Sequence, residues 1–369
     1  MKIAVIGTRG FPKIQGGVEK HCESLYSLLI ENYQTLQLII FRRRQYVSID
    51  QTEYNKRIRF LDINVIRNQY IETIYHSFAA ACICLFLRPD IVHIHNIGPA
   101  LVLPLLKIAG LKTVVTYHSD NYNHDKWGPI AKSFLKLGER LAGLLADGVI
   151  VVSRKQKHLF AKNCNVDVIP NGIFVQRLSN ATTYLERIGA EPYQYVLAVS
   201  RIVPEKGLDL LVKAFQAVRT PWKLIIAGDA DHETIYSRKL KEQIDIDDNI
   251  IRAGYIIGDE LNQVYSHAGL FVLPSYHEGL PIALLEAMSY GLSVLVSDIP
   301  ANLEVNLPQE RYFRCGDVQD LVEKMTTLMG RGVSEKEKED LRSRILAQYN
   351  WETIAAQTVA VYSKVLNRE

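Results

Sequence analysis

The sequence predicts two doubly wound α/β domains. Short β-rich apolar runs alternate with helix-length segments along the chain, the rhythm lapses once near residue 180 and then resumes, and 369 residues with 48% hydrophobic content can fill two cores. The first series of runs is "KIAVI", "LQLIIF", "DIVHIH", "KTVVTY", "GVIVVS" and "VDVIP"; the second is "YVLAVS", "WKLIIAG", "NIIRAG", "LFVLPS" and "LSVLVS". Runs apolar at consecutive positions with helices between them read as parallel strands covered on both faces. The polar stretch "QRLSNATTYLERIGAEP" marks the seam. It sets expected domains at 1–180 and 181–350, with 351–369 as an amphipathic helix able to pack on a domain surface. Two such domains are expected to face each other across a cleft, with ligands held beyond the carboxyl ends of the strands, so the chemistry is sought in loops that follow strands.

Bulk properties exclude several classes. A formal charge of +3 and a pI near 8.4 are too mild for a nucleic-acid partner, and no basic stripe or aromatic RNA motif appears. The cysteines at 22, 82, 84, 164 and 315 are odd in number and form no Cys-x-x-Cys pair, which argues against a disulfide framework or zinc knuckle. "MKIAVIGTRG" has too short an apolar run for a signal peptide, so a reducing, cytoplasmic location is expected. The most apolar window, Phe78 to Leu87, is too short to span a bilayer and reads as a core helix. Arg42, Arg43 and Arg44 form a local run that reads as a solvated loop or as a contact with an anionic membrane surface.

The first loop to carry chemistry is "GTRGFPKIQGGVEKH", where Gly7, Gly10, Gly16 and Gly17 precede a helix. Glycines let backbone N–H groups approach an anion at a helix start, so this loop is a phosphate-cradle candidate. It lacks Gly-x-Gly-x-x-Gly, and no acid closes the next strand, which disfavours a dinucleotide fold and a nicotinamide oxidoreductase. The second is "SRIVPEKGLDLL". Arg201 and Lys206 lead into a helix there, and two cations with a helix N-terminus can converge on a diphosphate.

The third loop, "SYHEGLPIALLEAMSYG", sets Glu278 and Glu286 eight residues apart. Pro281 and Gly291 bracket a helix over 281–290, which places Glu278 at its entrance and Glu286 on a face without obvious solvent. A buried carboxylate needs hydrogen-bond donors. A ribose diol offers two; a buried Arg or Lys is the alternative. His93 and His95 share one face of a strand with no third ligand nearby in the sequence, so no metal site is expected. His118 follows a strand end, suited either to a polar substrate group or to a structural hydrogen bond, with Asp120 and Lys126 near enough to share its site.

These residues resemble the retaining glycosyltransferases of family 4. The motifs that carry the likeness are "SRIVPEKGLDLL", "IIAGD" with Gly228 and Asp229, "HEGLPIALLEAM" with its Glu-x7-Glu pair, and "IPNGI". In the first half, "IGTRGFPKIQGGVEKH", "RPDIVHIHNIGPA" and "HDKWG" are similar to a rhamnosyltransferase-like bacterial branch that builds surface polysaccharides. Ser200 stands where the family usually has Gly before the Arg, and the branch's Gly after His118 is absent.

The resemblance implies a GT-B fold, two Rossmann-like domains with a C-terminal helix crossing back to the first. It makes Arg201 and Lys206 diphosphate clamps, Glu286 the ribose acceptor and Glu278 a contact to the donor sugar. Gly279, Leu280 and Pro281 would lie near the phosphate. Gly16 and Gly17 would approach the phosphate or the acceptor, His118 the sugar, and Tyr255 the base. The implied reaction moves a hexose or deoxyhexose from a nucleoside-diphosphate sugar to a hydroxyl of a glycan, lipid-linked in this branch, with retention and without cofactor or metal. Peripheral contact with the inner membrane surface would accompany it. A nucleotide-sugar epimerase and a catalytically silent nucleotide-sugar-binding scaffold are the rival readings.

Overall fold

In the computed structural model, the described residues are all of 1–369 except 15, 48–54, 67–70, 119–127, 161–164, 176, 231, 332 and 368–369. The chain forms two compact units, one of Met1–Gly172 with Trp351–Glu369 and one of Ile173–Asn350. The division therefore falls between Gly172 and Ile173 rather than near 180, and Trp351 opens a helix that belongs to the first unit.

The first unit is a seven-stranded parallel sheet made by β1 (Lys2–Ile6), β2 (Gln37–Arg43), β3 (Ile58–Ile63), β4 (Ile91–His95), β5 (Thr113–Tyr117), β6 (Gly148–Val151) and β7 (Val166–Val168). Their spatial order is β3-β2-β1-β4-β5-β6-β7. The order reverses between β1 and β4, where loops on one sheet edge diverge and open a crevice. Helices α1 (Gly17–Asn32), α2 (Glu72–Leu87), α3 (Leu103–Ile108) and α4 (Pro129–Leu145) connect the strands. Leu25, Tyr26 and Leu29 of α1 form one core with Ile3, Val5 and Leu38 of the sheet and with Trp351, Ile354 and Tyr362 from the chain's end. The opposite face packs Ala80, Ala81, Cys84, Leu103, Leu106 and Ala142 on Ile6, Ile94 and Val115. Each Leu, Ile or Val buried in these cores contributes roughly 1.5–3 kcal/mol.

The second unit has six parallel strands: β8 (Tyr195–Val199), β9 (Lys223–Ala227), β10 (Ile250–Gly254), β11 (Leu270–Leu273), β12 (Val294–Ser297) and β13 (Tyr312–Phe313). Their order β10-β9-β8-β11-β12-β13 reverses between β8 and β11. Its helices are α5 (Thr183–Ile188), α6 (Leu208–Ala217), α7 (Ile235–Asp245), α8 (Gly258–Ser266), α9 (Ile282–Ser289), α10 (Pro300–Leu303), α11 (Val318–Arg331) and α12 (Glu335–Gln348). The last helix, α13 (Trp351–Leu366), is the one that completes the first unit's core.

Two expectations are corrected. Arg42 and Arg43 are not a solvated membrane-contact run: both lie in β2 and are buried. Arg42 binds Asp62 through Nε at 2.7 Å and lies over the Phe60 ring, Arg43 binds Glu72 and donates to Thr73 at 3.1 Å, and the exposed Arg44 pairs with Asp62 at 3.3 Å. Desolvated guanidinium groups require such partners, and the partners come from β3 and α2. The Phe78–Leu87 window is only half a core helix, since Ala80, Ala81 and Cys84 are buried while Phe78 and Phe86 point outward. No helix among the described residues is long and apolar enough to cross a membrane.

Candidate functional site

In the second unit, the loops leaving β8 and β11 flank the point where strand order reverses, and they are stitched together. Tyr276 N donates to Glu205 O at 2.9 Å. Gly207 has φ +61, and a Cβ there would stand 2.3 Å from the Pro274 carbonyl oxygen, so only glycine lets the two loops meet this closely. Lys206 and Glu278 form an ion pair at 2.5 Å, with side chains 18% and 8% exposed. Ser275 Oγ donates to the same Glu278 oxygen at 2.7 Å, and Ser297 Oγ holds the Ser275 carbonyl at 2.6 Å. Both groups on Glu278 meet Oε1. The residues expected to hold diphosphate and sugar are thus neighbours that orient each other, and Arg201 follows β8 at the start of the same loop.

Pro281 is the N-cap of α9, in extended conformation, so the helix starts one residue later than the proline signal predicts. Neither α6 nor α9, whose first residues follow these loops, has a side-chain cap, a feature they share with α5, α8 and α10, while α7 and α12 carry complete capping boxes at Thr234 and Ser334. No side chain therefore occupies the first N–H groups of α6 and α9, and the positive end of the dipole favours an anion there. Gly279 and Leu280 lie between Glu278 and this start.

Glu286 is 7% exposed and accepts from the Tyr265 hydroxyl at 3.1 Å. The Tyr265 ring stacks on Tyr290 with centroids 5.0 Å apart. Burial, with Glu286 second, pushes the Tyr265 hydroxyl well above its ordinary value, so it is a permanent donor. Asp229 is tied to Lys241 at 2.7 Å. Tyr255 follows β10, the edge strand, and is exposed.

The first unit's site is a different construction. Gly16 is the N-cap of α1 with φ +147, and a Cβ there would meet Glu19 Oε2 at 2.0 Å. The buried Glu19 also accepts from Arg9 N at 3.1 Å. A carboxylate thus lies over the helix entrance where Gly16 and Gly17 were expected to cradle phosphate, an arrangement that suits a hydroxyl donor better than a second anion.

Beside this loop is a buried cluster that the sequence did not reveal as one. The His93 and His95 rings stack at 4.3 Å, and His95 Nδ1 lies 3.0 Å from His118 Nε2. Tyr26 Oη is 2.7 Å from His95 Nε2 and 2.8 Å from His93 Nδ1. Tyr362 of α13 reaches His93 Nδ1 at 2.7 Å, and Thr116 reaches its Nε2 at 2.7 Å. His21 packs edge-on against His118 at 4.9 Å and hydrogen-bonds Asn171, the Asn of "IPNGI". The Gly of that motif lies under Trp351, whose ring a Cβ would approach to 2.4 Å.

Burial holds all four imidazoles neutral: His21 is lowered to about 4, His93 to about 3, and His95 and His118 well below the ordinary value. Each neutral ring has one N–H, so the protons are coupled. If Tyr26 donates to His95, His95 donates to His118 and the outer nitrogen of His118 is a donor; if Tyr26 donates to His93, the order reverses and that nitrogen is an acceptor.

His21, His95 and His118 are the metal-capable group found among the described residues, with one nitrogen each within 4.8 Å of the others. Both nitrogens of His95 already have hydrogen-bond partners. Asp120 and Lys126 lie outside the described residues. The position of His21, distant in sequence and on a helix, is the residue a strand-end search overlooks; its i, i+5 relation to Gly16 at a helix start is the signal that could have found it.

Residues 15–177 match the family described as Glycosyltransferase Family 4, and residues 183–345 match Glycosyl transferases group 1. A protein of Methanocaldococcus jannaschii named as an uncharacterized glycosyltransferase, MJ1607, is 26% identical over 98% of either chain. The GDP-mannose:cellobiosyl-diphosphopolyprenol alpha-mannosyltransferase of Xanthomonas oryzae is 30% identical over 57% of this chain and 56% of its own. Among solved structures, sucrose-phosphate synthase of Thermosynechococcus elongatus superposes with TM-score 0.82 at 21% identity, covering 99% of this chain and 98% of that one. Anabaena HepE in complex with UDP-glucose gives 0.79 at 17% identity, over 98% and 99%. With one family model matched in each unit and two parallel-sheet units in GT-B order, the chain belongs to the GT-B glycosyltransferases of family 4.

Proposed function

We propose that the protein transfers a hexose or deoxyhexose from a nucleoside-diphosphate sugar to a hydroxyl of a lipid-linked glycan in bacterial surface-polysaccharide synthesis, with retention, as in the rhamnosyltransferase-like branch. The observation that carries this reading is the floor of the second unit: Arg201, the Lys206–Glu278 pair, the bare start of α9 and the buried Glu286, all around one strand-order reversal. The names of two relatives support the substrate class: the GDP-mannose:cellobiosyl-diphosphopolyprenol alpha-mannosyltransferase of Xanthomonas oryzae and a putative teichuronic acid biosynthesis glycosyltransferase of Bacillus subtilis.

In this reading Arg201 and Lys206 take the diphosphate, Glu286 and Tyr265 the ribose hydroxyls, Tyr255 the base, and Glu278 Oε2 a hydroxyl of the donor sugar. Leaving of the diphosphate builds charge on the bridging oxygen, and the clamp stabilises that state more than the bound donor. The cations and helix N–H groups supply the positive charge themselves, without metal. The leaving phosphate takes the acceptor's proton on the same face, with His118 on the sugar and the Gly16–Gly17 entrance beside Glu19 receiving the acceptor hydroxyl. A peripheral position on the cytoplasmic membrane face belongs to the same reading.

The experiment is calorimetric titration with UDP, GDP, dTDP and their sugar conjugates in EDTA, with Arg201→Ala in parallel, followed by product analysis with the donor that binds. Binding lost in the variant and a glycoside of retained configuration are expected. A free epimerised sugar made without acceptor assigns an epimerase instead, and tight binding without turnover assigns a scaffold.

A further inference from the structure

We propose that His21, His95 and His118 of the first unit form a binding site for one transition-metal ion of the zinc class. The site lies wholly in the first unit, and only its consequence for activity rests on the transferase reading.

The geometry supplies three imidazoles and an unused lone pair. One nitrogen of each ring lies within 4.8 Å of the other two, and all three residues are buried. His21 Nδ1 has no hydrogen-bond partner, and a polar atom buried in that way costs stability until something satisfies it. His95 Nδ1 and His118 Nε2 stand 3.0 Å apart. Two nitrogens on one tetrahedral zinc, each about 2.0–2.1 Å from it, stand about 3.4 Å apart, so this pair is already near a chelating separation. Closing His21 onto the pair completes the set. His118 and His21 are the members with any exposure, 7% and 4%, so an ion enters past their edges.

The hydrogen bonds behind the rings fit ligation. A ligating histidine turns a lone pair to the ion and donates its other N–H to an outer partner, which fixes the tautomer. His95 Nε2 has such a partner in Tyr26 Oη at 2.7 Å, Tyr26 Oη lies 2.8 Å from His93 Nδ1, and His93 Nε2 lies 2.7 Å from Thr116 Oγ1. When His95 donates to Tyr26, Tyr26 to His93 and His93 to Thr116, His95 Nδ1 is left as an acceptor. The proton between His95 and His118 then sits on His118 Nε2. The ion takes its place, and that proton moves to His118 Nδ1, so binding releases none. His21 has Asn171 as its side-chain partner, and all three rings are already neutral, the form in which imidazole ligates.

The donor set selects the metal. A group of imidazole nitrogens without a carboxylate disfavours magnesium and calcium, which require oxygen, and suits zinc, cobalt, nickel or copper. Three protein ligands leave a fourth position for an oxygen. An ion here withdraws His118 from the donor sugar, so zinc inhibits transfer.

The test uses the whole chain, stripped with EDTA and exchanged into chelator-free buffer. Cobalt(II) is titrated by visible absorption and zinc by calorimetry. One equivalent of cobalt should give the visible bands of a tetrahedral nitrogen site, zinc should displace it, and saturating zinc should raise the melting temperature. His21→Gln and His118→Gln each remove one ligand and should weaken zinc binding at least about tenfold; Tyr26→Phe removes only the outer partner of His95 and should weaken it about tenfold. Melting without metal, read on the same samples, identifies a variant that does not fold. Wild type that takes up neither ion overturns the proposal. So does binding undiminished in the folded variants, or a cobalt spectrum with thiolate charge-transfer bands, which would put the ion on cysteine. Zinc uptake by a protein that binds no nucleoside diphosphate would leave the site in place and remove the transferase reading, and nucleotide binding without zinc uptake would do the reverse.

Discussion

In the second unit the loops leaving β8 and β11 meet over charged groups: Arg201, Lys206 paired to Glu278, and Glu286 on a hydroxyl beneath. In the first unit the corresponding region holds a neutral network, three imidazoles and two phenols sharing protons with His21 packed edge-on against them, and the carboxylate of Glu19 over the nearby helix start. One fold plan thus prepares two kinds of surface. In the proposed reading, the largely buried Lys206–Glu278 pair at the reversal point exchanges its carboxylate for a diphosphate. Neutral imidazoles fully removed from water can donate or accept one proton toward a hydroxyl, and ionise only at the expense of the fold.

The sharpest way to break the comparison is acid. A histidine whose folded pKa lies below its unfolded value binds more protons unfolded, so its stabilisation is complete above about pH 6.5 and is lost as pH falls toward the folded value. For His21, lowered to about 4, the full loss is about 3 kcal/mol. His93, lowered to about 3, adds a comparable amount, coupled to it through shared neighbours. Calorimetry between pH 7 and 4.5 should show the first unit's transition moving down steeply while the second unit's moves little. Parallel shifts of both would remove the cluster as the distinguishing feature.

Lys206→Ala tests the other side. It takes one cation from the clamp and leaves Glu278 with only Ser275, so transfer is expected to fall by about 10² or more, mostly in kcat. The first unit's melting should be unchanged. Transfer within about twofold of wild type would mean that the pair is structural.

Tyr26→Phe is the matching change in the first unit. It strips a hydroxyl from two buried imidazoles, at a cost of about 1–3 kcal/mol in stability, and uncouples His95 from His93. A several-fold fall in transfer with unchanged donor KM is the expected kinetic mark of a misoriented His118. Lost stability alone would make the cluster only a strut.

How much of this was legible in the sequence follows from the same contrast. Strands β1, β2 and β4–β12 are visible because both faces of a parallel sheet are covered, and each reads as an apolar run; β3, "IRFLDI", escaped because an edge strand alternates apolar and charged positions, and β13 because two residues make no pattern. Arg201, Lys206, Glu278 and Glu286 were legible as charges with nowhere else to go. The histidine cluster was not, since its members come from α1, β4 and the end of β5, and its anchor Tyr362 lies 269 positions from His93. Arg42 and Arg43 misled for a related reason: a charge run looks solvated until the partners on other elements are placed.

Glu286→Gln is expected to have the smallest effect and separates two meanings of a buried acid. The amide keeps the shape, and its carbonyl still accepts from Tyr265, so unfolding free energy should change by no more than about 1 kcal/mol. What it loses is one charged acceptor, and with it the stronger, charge-assisted bond to a ribose hydroxyl. The ribose is remote from the bond that breaks and is held alike in ground and transition states, so donor KM should rise about tenfold with kcat nearly constant. A 2′-deoxyribose donor should then lose less in the variant than in wild type, because the partner it lacks is already gone. A glutamine variant that melts several degrees lower with donor KM untouched would place Glu286 among the structural acids and leave the ribose to other groups.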